Sequence, residues 1–307
     1  MLGVLLGLFS AVFFGISTVI ARRGMLRASS SYIAAISIFT GVPFFLLVTC
    51  ATGEIYQIVQ FPWKAQVFLA LSGVIHFALG RTWAYKSIHL IGSTRSIIVT
   101  SLNPIISIAM AMIIFKETIK PLMVLGILLA LSGPLVTILK EQAVESSFPS
   151  KATFRGKGLD RHNIYVGMLY GMGAAVFWGS STIFIKLGLK NGGSPVAGSL
   201  LAYLAASVVI SPSLLLNQEN KREIFEATRK SFQFALFIGL VTSIAQLLRY
   251  VALQYSSVII VTLLSRTVPL WVLLFSFIYN KDYESFSYWV ILGNVLLIVG
   301  TALVLIP

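Results

Sequence analysis

The chain has 307 residues, of which 57% are apolar and only 11% are charged, and its mean hydropathy is +0.90. A soluble domain carries about a quarter charged residues, so this composition excludes an ordinary water-facing enzyme. The 23 basic residues outnumber the 10 acidic ones, which gives a net charge of +13. We expect this excess to reflect membrane topology and not nucleic acid as a partner. One cysteine, Cys50, excludes an internal disulfide, and the sequence predicts no metal site and no cofactor.

Apolar stretches long enough to cross a bilayer recur along the whole chain. A hydrocarbon core of about 30 Å takes ~20 helical residues. The sequence predicts ten spans, at 2–21, 32–50, 65–85, 91–114, 121–139, 165–187, 196–216, 233–254, 257–279 and 286–306. The first stretch lacks a preceding basic region, so it is interpreted as a retained helix and not as a signal peptide. We therefore expect an all-α, multi-pass protein of the cell (inner) membrane.

The two halves of the chain repeat each other at a nearly constant offset. Matched pairs are Gly7 and Gly171, Gly15 and Gly179, Arg81 and Arg249, and Pro104 and Pro269. Glycines four residues apart in the first and sixth spans predict close helix packing. Each half holds five spans, and because five is odd the halves insert with opposite orientation, as in many secondary transporters. We predict two inverted five-helix repeats, at 1–140 and 165–307, separated by a polar linker at 141–164.

Lysine and arginine are distributed unequally between alternate loops. Fourteen lie on one side: Arg22, Arg23, Arg27, Lys86, Lys140, Lys151, Arg155, Lys157, Arg161, Lys221, Arg222, Arg229, Lys230 and Lys281. Five lie on the other: Lys64, Lys116, Lys120, Lys186 and Lys190. The positive-inside rule assigns the more basic side to the cytoplasm. The loop charges therefore predict that both termini lie outside.

Several local features recur once in each half. They are the aromatic-Gly pairs Phe14-Gly15 and Trp178-Gly179, the Asn103-Pro104 and Val268-Pro269 pairs, and the acids Glu117 and Asp282 after the fourth span of each half. Together with the ten spans, these features resemble the EamA family of the drug/metabolite transporter superfamily. The resemblance implies a substrate cavity lined by the first four helices of each half, with peripheral fifth and tenth helices through which a homodimer could form. It also implies cytoplasmic termini, in disagreement with the loop charges.

Four arginines lie within the predicted spans, whereas all ten acidic residues lie in loops or at span ends. An intramembrane charge costs a few kcal/mol or more and usually faces a partner or a cavity. Guanidinium stays protonated and binds carboxylate or phosphate through paired hydrogen bonds, so the missing partner is an anion. We predict Arg266, the deepest, as the main anchor, with Arg81, Arg249 and Arg95 as secondary contacts. Bonds to backbone carbonyls or to lipid phosphates are the alternative for each.

The remaining candidate contacts are uncharged. They are Asn103, Thr100, Ser181, Trp178, Ser17 and Thr262. Asn103 and Thr100 belong to a polar stripe on the fourth span, together with Ser93, Ser96 and Ser107. The stripe either lines the cavity or bonds a neighbouring helix. His76, the only histidine within a span, is either a proton-coupling group or a hydrogen-bonded buried residue. Glu117 and Asp282 are expected to make capping or gating contacts.

These observations favour a secondary transporter that moves a small organic metabolite, an anion such as a carboxylate or phosphate ester, by alternating access. The alternative is a transporter or exporter of neutral or zwitterionic amino acids, and a less favoured one is a non-transporting sensor or scaffold. Sequence motifs of serine hydrolases, zinc proteases and P-loop ATPases are absent, so we do not expect an enzyme. The predicted partners are the substrate and the lipid bilayer.

A reporter fused to the C terminus tests the orientation. The loop charges predict that alkaline phosphatase fused after residue 307 is active and that a cytoplasmic fluorescent reporter at the same point is dark. The opposite pair of signals would contradict the loop-charge interpretation and favour the orientation that the resemblance implies.

Overall fold

The computed structural model describes residues 1–25, 29–84, 86–87, 90, 99–100, 102–145, 161–216, 228–279 and 288–305. Within these ranges the regular structure is entirely helical. The helices are α1 (Leu2–Met25), α2 (Ser30–Ala51), α3 (Gln57–Gln60), α4 (Trp63–Gly73), α5 (Asn103–Phe115), α6 (Pro121–Glu145), α7 (Arg161–Lys190), α8 (Pro195–Leu216), α9 (Arg229–Tyr255), α10 (Val258–Leu264), α11 (Val268–Tyr279) and α12 (Tyr288–Leu305). A π-helical segment, Val74–Gly80, continues α4, and a 3-10 turn, Ser265–Thr267, joins α10 to α11.

Six helical stretches are long and apolar enough to cross a membrane. They are Leu2–Ala21, Tyr32–Ala51, Trp63–Ala84, Tyr165–Lys190, Pro195–Pro212 and Arg229–Tyr255. Shorter apolar helices occupy the other four predicted spans, at Asn103–Phe115, Pro121–Gly133, Val258–Val272 and Ile291–Gly300. The prediction of an all-α, multi-pass membrane protein is confirmed, with six helical stretches that have the full length of a span.

The ninth predicted span, 257–279, is divided between two helices. α10 ends at Leu264, and α11 begins only after the 3-10 turn. The cause is Pro269, which has no N–H to donate to the carbonyl of Ser265 four residues earlier. The N–H of Val268 donates to that carbonyl instead, which tightens the helix into a 3-10 turn. Arg266 therefore lies in a turn and not on a regular helix face.

The matching proline of the first half also marks a departure from a regular helix. Pro104 lies in the first turn of α5, where a missing N–H is tolerated. Just before it, the N–H of Leu102 donates to the carbonyl of Val99 at 3.2 Å, a bond with 3-10 spacing. The chain thus loses regular α-helical bonding at corresponding places in the two halves.

Glycines bring helices of the two halves into close contact. A Cβ on Gly15 would lie 2.6 Å from the Cβ of Trp271, and one on Gly179 would lie 2.7 Å from the carbonyl oxygen of Asn103. Gly15 and Gly179 are matched positions, so the crossing of α1 with α11 corresponds to the crossing of α7 with α5. Only a residue without a side chain permits this approach.

The close packing predicted for the glycines of the first and sixth spans is confirmed for Gly7 and Gly171. A Cβ on Gly7 would lie 2.9 Å from Cδ1 of Leu264, and one on Gly171 would lie 3.1 Å from Cγ1 of Val99. Leu264 and Val99 hold matching places in the two halves. Away from these crossings, α6 packs mainly against α12.

Replacement of Gly73 tests the close packing. A Cβ on Gly73 would overlap the backbone carbonyl of Ala202 in α8, whereas one on Gly7 meets only the movable end of Leu264. We expect Gly73→Ala to lower the free energy of unfolding by about 2 kcal/mol, as overpacking usually does. Gly7→Ala is the matched control, with an expected change below about 1 kcal/mol, since both variants gain the same helix propensity. Thermal melts in detergent measure both, and equal melting temperatures would contradict the prediction.

Candidate functional site

Arg266 lies in the 3-10 turn between α10 and α11, and this turn packs against α1. Its Nε atom is buried and has no hydrogen-bond partner among the residues that the structure describes. A buried donor without an acceptor costs free energy, and more so when it belongs to a charged group. The turn therefore carries a guanidinium whose hydrogen bonding calls for a further acceptor.

The two matched arginines differ from Arg266 in having protein acceptors. The Nη2 atom of Arg249 donates to Oγ1 of Thr182 on α7 at 2.5 Å. The Nη1 atom of Arg81 donates to the carbonyl of Ala34 and to Oγ of Ser37, both at 3.3 Å. These bonds correspond to the alternative in which the arginines are held by the protein itself. Each uses only part of a guanidinium, which has five N–H donors.

Arg249 occupies a central place among the charged groups of the bundle. It lies close enough to Arg266 and to His76 for their charges to interact. Arg81 acts on His76 in the same way. The described spans offer no aspartate or glutamate at this depth, since none of the six long stretches contains an acidic residue. The result is a concentration of positive charge in the interior of an apolar bundle.

His76 lies in the π-helical segment and contacts helices of the second half. Its Nδ1 atom is 3.0 Å from Oγ of Ser181 on α7, and its Nε2 atom is 3.5 Å from Nε2 of Gln246 on α9. The Ser181 hydroxyl also donates to the carbonyl of Trp178 at 2.8 Å. These groups form one hydrogen-bonded chain that joins three elements. Short π-helical segments are frequently found at functional sites.

Trp178 fixes the backbone of the same segment. Its indole Nε1 donates to the carbonyl of His76 at 3.1 Å. The ring fits there because Gly80 has no side chain, since a Cβ on Gly80 would lie 2.6 Å from Nε1 of Trp178. The indole donor is therefore used within the protein, although the sequence predicted Trp178 as a substrate contact. Ser17 is similar, because its hydroxyl donates to the carbonyl of Phe14 in its own helix at 2.9 Å.

The other predicted contacts lie around the crossing of α5 and α10. Oγ1 of Thr262 is 3.2 Å from Oγ of Ser107, so Ser107, a member of the polar stripe, bonds a neighbouring helix. Thr100 is buried, and Asn103 begins α5 with its carbonyl against Gly179. Of the predicted residues, Asn103, Trp178, Ser181 and Thr262 contact the opposite half of the chain, and the turn that carries Arg266 packs against α1. Arg95 lies outside the described residues, as do Ser93 and Ser96 of the stripe.

Gln246 is a functional candidate that the sequence did not reveal. It is 2% exposed, and its Oε1 atom has no hydrogen-bond partner within the described part of the chain. A neutral amide in an apolar stretch has neither a charge nor a titratable group to mark it in the sequence. Its position three residues before Arg249, on the same face of α9, is the signal that could have identified it.

The contacts predicted for Glu117 are confirmed as helix capping. Its two carboxylate oxygens accept from the N–H groups of Val258 at 2.9 Å and Ile259 at 3.1 Å. These are the first two residues of α10, whose third N–H is bonded by the hydroxyl of Ser257. A carboxylate at this position also interacts favourably with the helix dipole. Glu117 thereby joins the first half to the second, whereas Asp282 lies outside the described residues.

Further contacts join helix ends near Glu117. The ammonium of Lys186 donates to the carbonyls of Leu253 at 2.5 Å and Ser256 at 2.8 Å, at the C-terminal end of α9. The Ser194 hydroxyl, at the start of α8, donates to a carboxylate oxygen of Glu54, which follows α2. These bonds, with the Glu117 cap, hold helix ends together at one end of the bundle. We call this set of contacts the closed end.

Comparison with known proteins gives a family and a fold. A family model described as the EamA-like transporter family matches residues 1–139 and 165–306, as two copies of the repeat, and confirms the resemblance found in the sequence. No curated protein matches the chain. One solved chain, described only as "Crystal structure of protein", aligns with a TM-score of 0.78 at 15% identity, over 99% of this chain and 95% of that one. At that identity the similarity shows the fold alone.

Removal of the Glu117 carboxylate tests the closed end. Glu117→Ala leaves two N–H groups of α10 without acceptors, so we expect a loss of about 1–3 kcal/mol of stability. Glu117→Gln keeps one acceptor oxygen, so its stability should lie between that of Glu117→Ala and that of the wild type. Chemical or thermal unfolding in detergent measures the series. A melting temperature for Glu117→Ala equal to that of the wild type would contradict the capping role.

Proposed function

Because this chain belongs to the EamA-like transporter family, whose members move small molecules across membranes, we propose that its substrate is a small organic anion. The substrate class follows from Arg266. Its Nε is buried without an acceptor among the described residues, in a bundle whose long spans contain no carboxylate. A carboxylate or phosphate ester supplies the paired oxygens that a guanidinium binds best.

In this proposal Arg266 is the main anchor of the anion. A buried charge left without a counter-ion costs several kcal/mol, and an anion that arrives from water offsets that cost on binding. Arg249 adds a second positive charge within electrostatic reach. Arg81 and Arg95 are secondary contacts, which we retain as proposals. Neither Arg81 nor Arg249 has all its donors bonded in the contacts described above.

We further propose that transport proceeds by alternating access of two inverted five-helix repeats, at 1–140 and 165–307, joined by the linker at 141–164. Ten spans then place the arginines at the contact between repeats, where secondary transporters bind their substrates. The closed end supports this cycle, since its capping bonds to α10 have to break before the repeats can separate there. Arginine cannot release its proton, so exchange of one anion for another is the simplest scheme.

A second candidate substrate is a neutral or zwitterionic amino acid. The bonds of Arg81 to Ala34 and Ser37, and of Arg249 to Thr182, favour it, because arginines that are held by the protein need no substrate carboxyl. Competition distinguishes the candidates. Displacement of a bound ligand by amino acids, but not by phosphates or dicarboxylates, supports the second and contradicts the first.

Substitution of Arg266 tests the proposed anchor. A thermal-shift screen of the purified protein against inorganic phosphate, pyruvate, 2-oxoglutarate and glycerol 3-phosphate would identify the best ligand. Arg266→Gln is expected to weaken binding of the best ligand at least ~100-fold, the loss of a buried charge-assisted pair of bonds. Arg266→Lys keeps the charge but not the planar fork and should lose about tenfold.

Arg229→Gln is the matched control, because it removes the same charge at an exposed position, the start of α9. It should bind like the wild type. Unchanged anion binding by Arg266→Gln, with the protein still folded, contradicts the assignment of the anchor.

A further inference from the structure

His76, which is partly buried, and Gln246, which is buried, form a pair that anion exchange does not require. His76 lies in the π-helical segment of the first half, and Gln246 lies in α9 of the second half, with 3.5 Å between their Nε2 atoms. Residues on either side hold the pair in place. Ser181 bonds the other nitrogen of His76, and Trp178 bonds its carbonyl.

The hydrogen bonds around His76 favour a proton on its Nδ1 atom. The Ser181 hydroxyl donates to the carbonyl of Trp178, so its oxygen accepts from Nδ1 of His76. A proton on Nδ1 leaves Nε2 as an acceptor, and the amide nitrogen of Gln246 lies 3.5 Å from it. This order leaves Oε1 of Gln246 as a buried acceptor without a partner among the described residues.

Rotation of the Gln246 amide by half a turn exchanges its oxygen and nitrogen. Oε1 then faces Nε2 of His76, where it accepts a hydrogen bond but cannot donate one. That arrangement suits an imidazole with a proton on each nitrogen. We propose that the Gln246 amide rotates between these two orientations. His76 then binds a proton when an anion binds and releases the proton when the anion leaves. The inference rests on the anionic substrate proposed above.

Two guanidinium groups link the proton to the anion. Arg249 and Arg81 both act electrostatically on His76, so a proton on His76 adds a third positive charge to theirs. Like charges repel strongly in an apolar interior. An anion bound near the arginines offsets their charge, which lowers the free-energy cost of a third positive charge on His76. By linkage, the anion favours proton binding as much as the proton favours anion binding.

The other elements around His76 supply no competing charge among the described residues. α7 faces it with the hydroxyl of Ser181 and the indole of Trp178. α8 contributes the phenol of Tyr203, which packs against Phe77, and α9 contributes Tyr250, whose hydroxyl is 3.1 Å from that of Ser72. These hydroxyls stay neutral near pH 7, so the arginines and the bound anion decide the state of His76.

Net transport then carries one proton with each anion. The proton binds Nε2 of His76 from the side on which the anion enters, and it leaves to the side on which the anion is released. Exchange of one anion for another moves protons equally in both directions. The inference therefore separates two activities of one site: exchange without net proton movement, and net transport that consumes a proton gradient.

Histidine-selective NMR tests the inference. The chain has three histidines, His76, His89 and His162, so ¹³C labelling of histidine gives few imidazole signals, and His76→Asn identifies that of His76. The probe is whichever of phosphate, pyruvate, 2-oxoglutarate and glycerol 3-phosphate gives the largest Arg266-dependent thermal shift. Spectra recorded over a pH series give the ratio of protonated to neutral His76, and we expect this ratio at a given pH to rise about tenfold when the probe binds.

Two variants separate the role of Gln246 from folding. Gln246→Met should still bind the probe. It should show no rise in protonated His76, because it has no oxygen to accept a hydrogen bond from Nε2 of the protonated ring. Gln246→Glu provides a permanent acceptor and negative charge, so His76 should be protonated even without the probe. Gln66→Met makes the same change in α4, away from His76, and should behave like the wild type.

Each contrary result has a distinct meaning. Arg266-dependent binding without a change in the His76 signal overturns this inference and leaves the proposed function standing. A normal rise in Gln246→Met overturns the role of Gln246. If no probe gives an Arg266-dependent shift, the anionic substrate is contradicted, and this inference falls with it.

Discussion

Burial of positive charge in an apolar bundle is the constraint on which the rest of the structure depends. The long spans carry arginines but no acidic residue, so their charges have to be stabilised by hydroxyls, carbonyls or a ligand. Arg81 and Arg249 reach acceptors on neighbouring helices, whereas the Nε of Arg266 reaches none among the described residues. A protein that leaves such a group without an acceptor is less stable than it could be, and the anion that we propose as the substrate would offset that cost on binding.

The irregular parts of the backbone serve this arrangement. The 3-10 turn that precedes Pro269 carries Arg266, and the π-helical segment carries His76. Backbone irregularity inside a membrane is tolerated only where other protein groups or a cavity satisfy the freed polar atoms. Trp178 does this for the carbonyl of His76, and Val268 does it for that of Ser265. Both irregular segments pack against helices of the other half, where two rigid repeats would move against each other.

The hydropathy and the repeat predicted the helical membrane fold, because apolar length and small-residue spacing are properties of single segments. The glycines that pack α1 and α7 were predicted for the same reason, since a missing side chain acts wherever helices cross. The break before Arg266 was not predicted, although Pro269 is evident in the sequence. Where a proline breaks a helix depends on which carbonyl the N–H of its neighbour, here Val268, bonds. Glu117 was predicted to make a capping or gating contact, but the helix that it caps, α10, begins 141 residues later in the chain.

The candidate site was predicted only where charge gave a signal. Arginines stand out in an apolar sequence, and Arg266 and Arg249 do come within electrostatic reach of each other. Ser17 and Trp178 were chosen for their matched positions, yet their donors are used by neighbouring carbonyls, which no sequence spacing reveals. Gln246 was missed because an uncharged amide becomes significant only when its oxygen is found buried without a partner.

Counterflow in proteoliposomes tests the central claim most directly. Vesicles loaded with a high concentration of an unlabelled anion and placed in a trace of the same labelled anion should accumulate label transiently, because exchange through the site needs no external energy. The account predicts this overshoot for at least one carboxylate or phosphate ester with the wild type, and its absence with Arg266→Gln. An equal overshoot in Arg266→Gln, or an overshoot only with uncharged or zwitterionic solutes, would contradict the account.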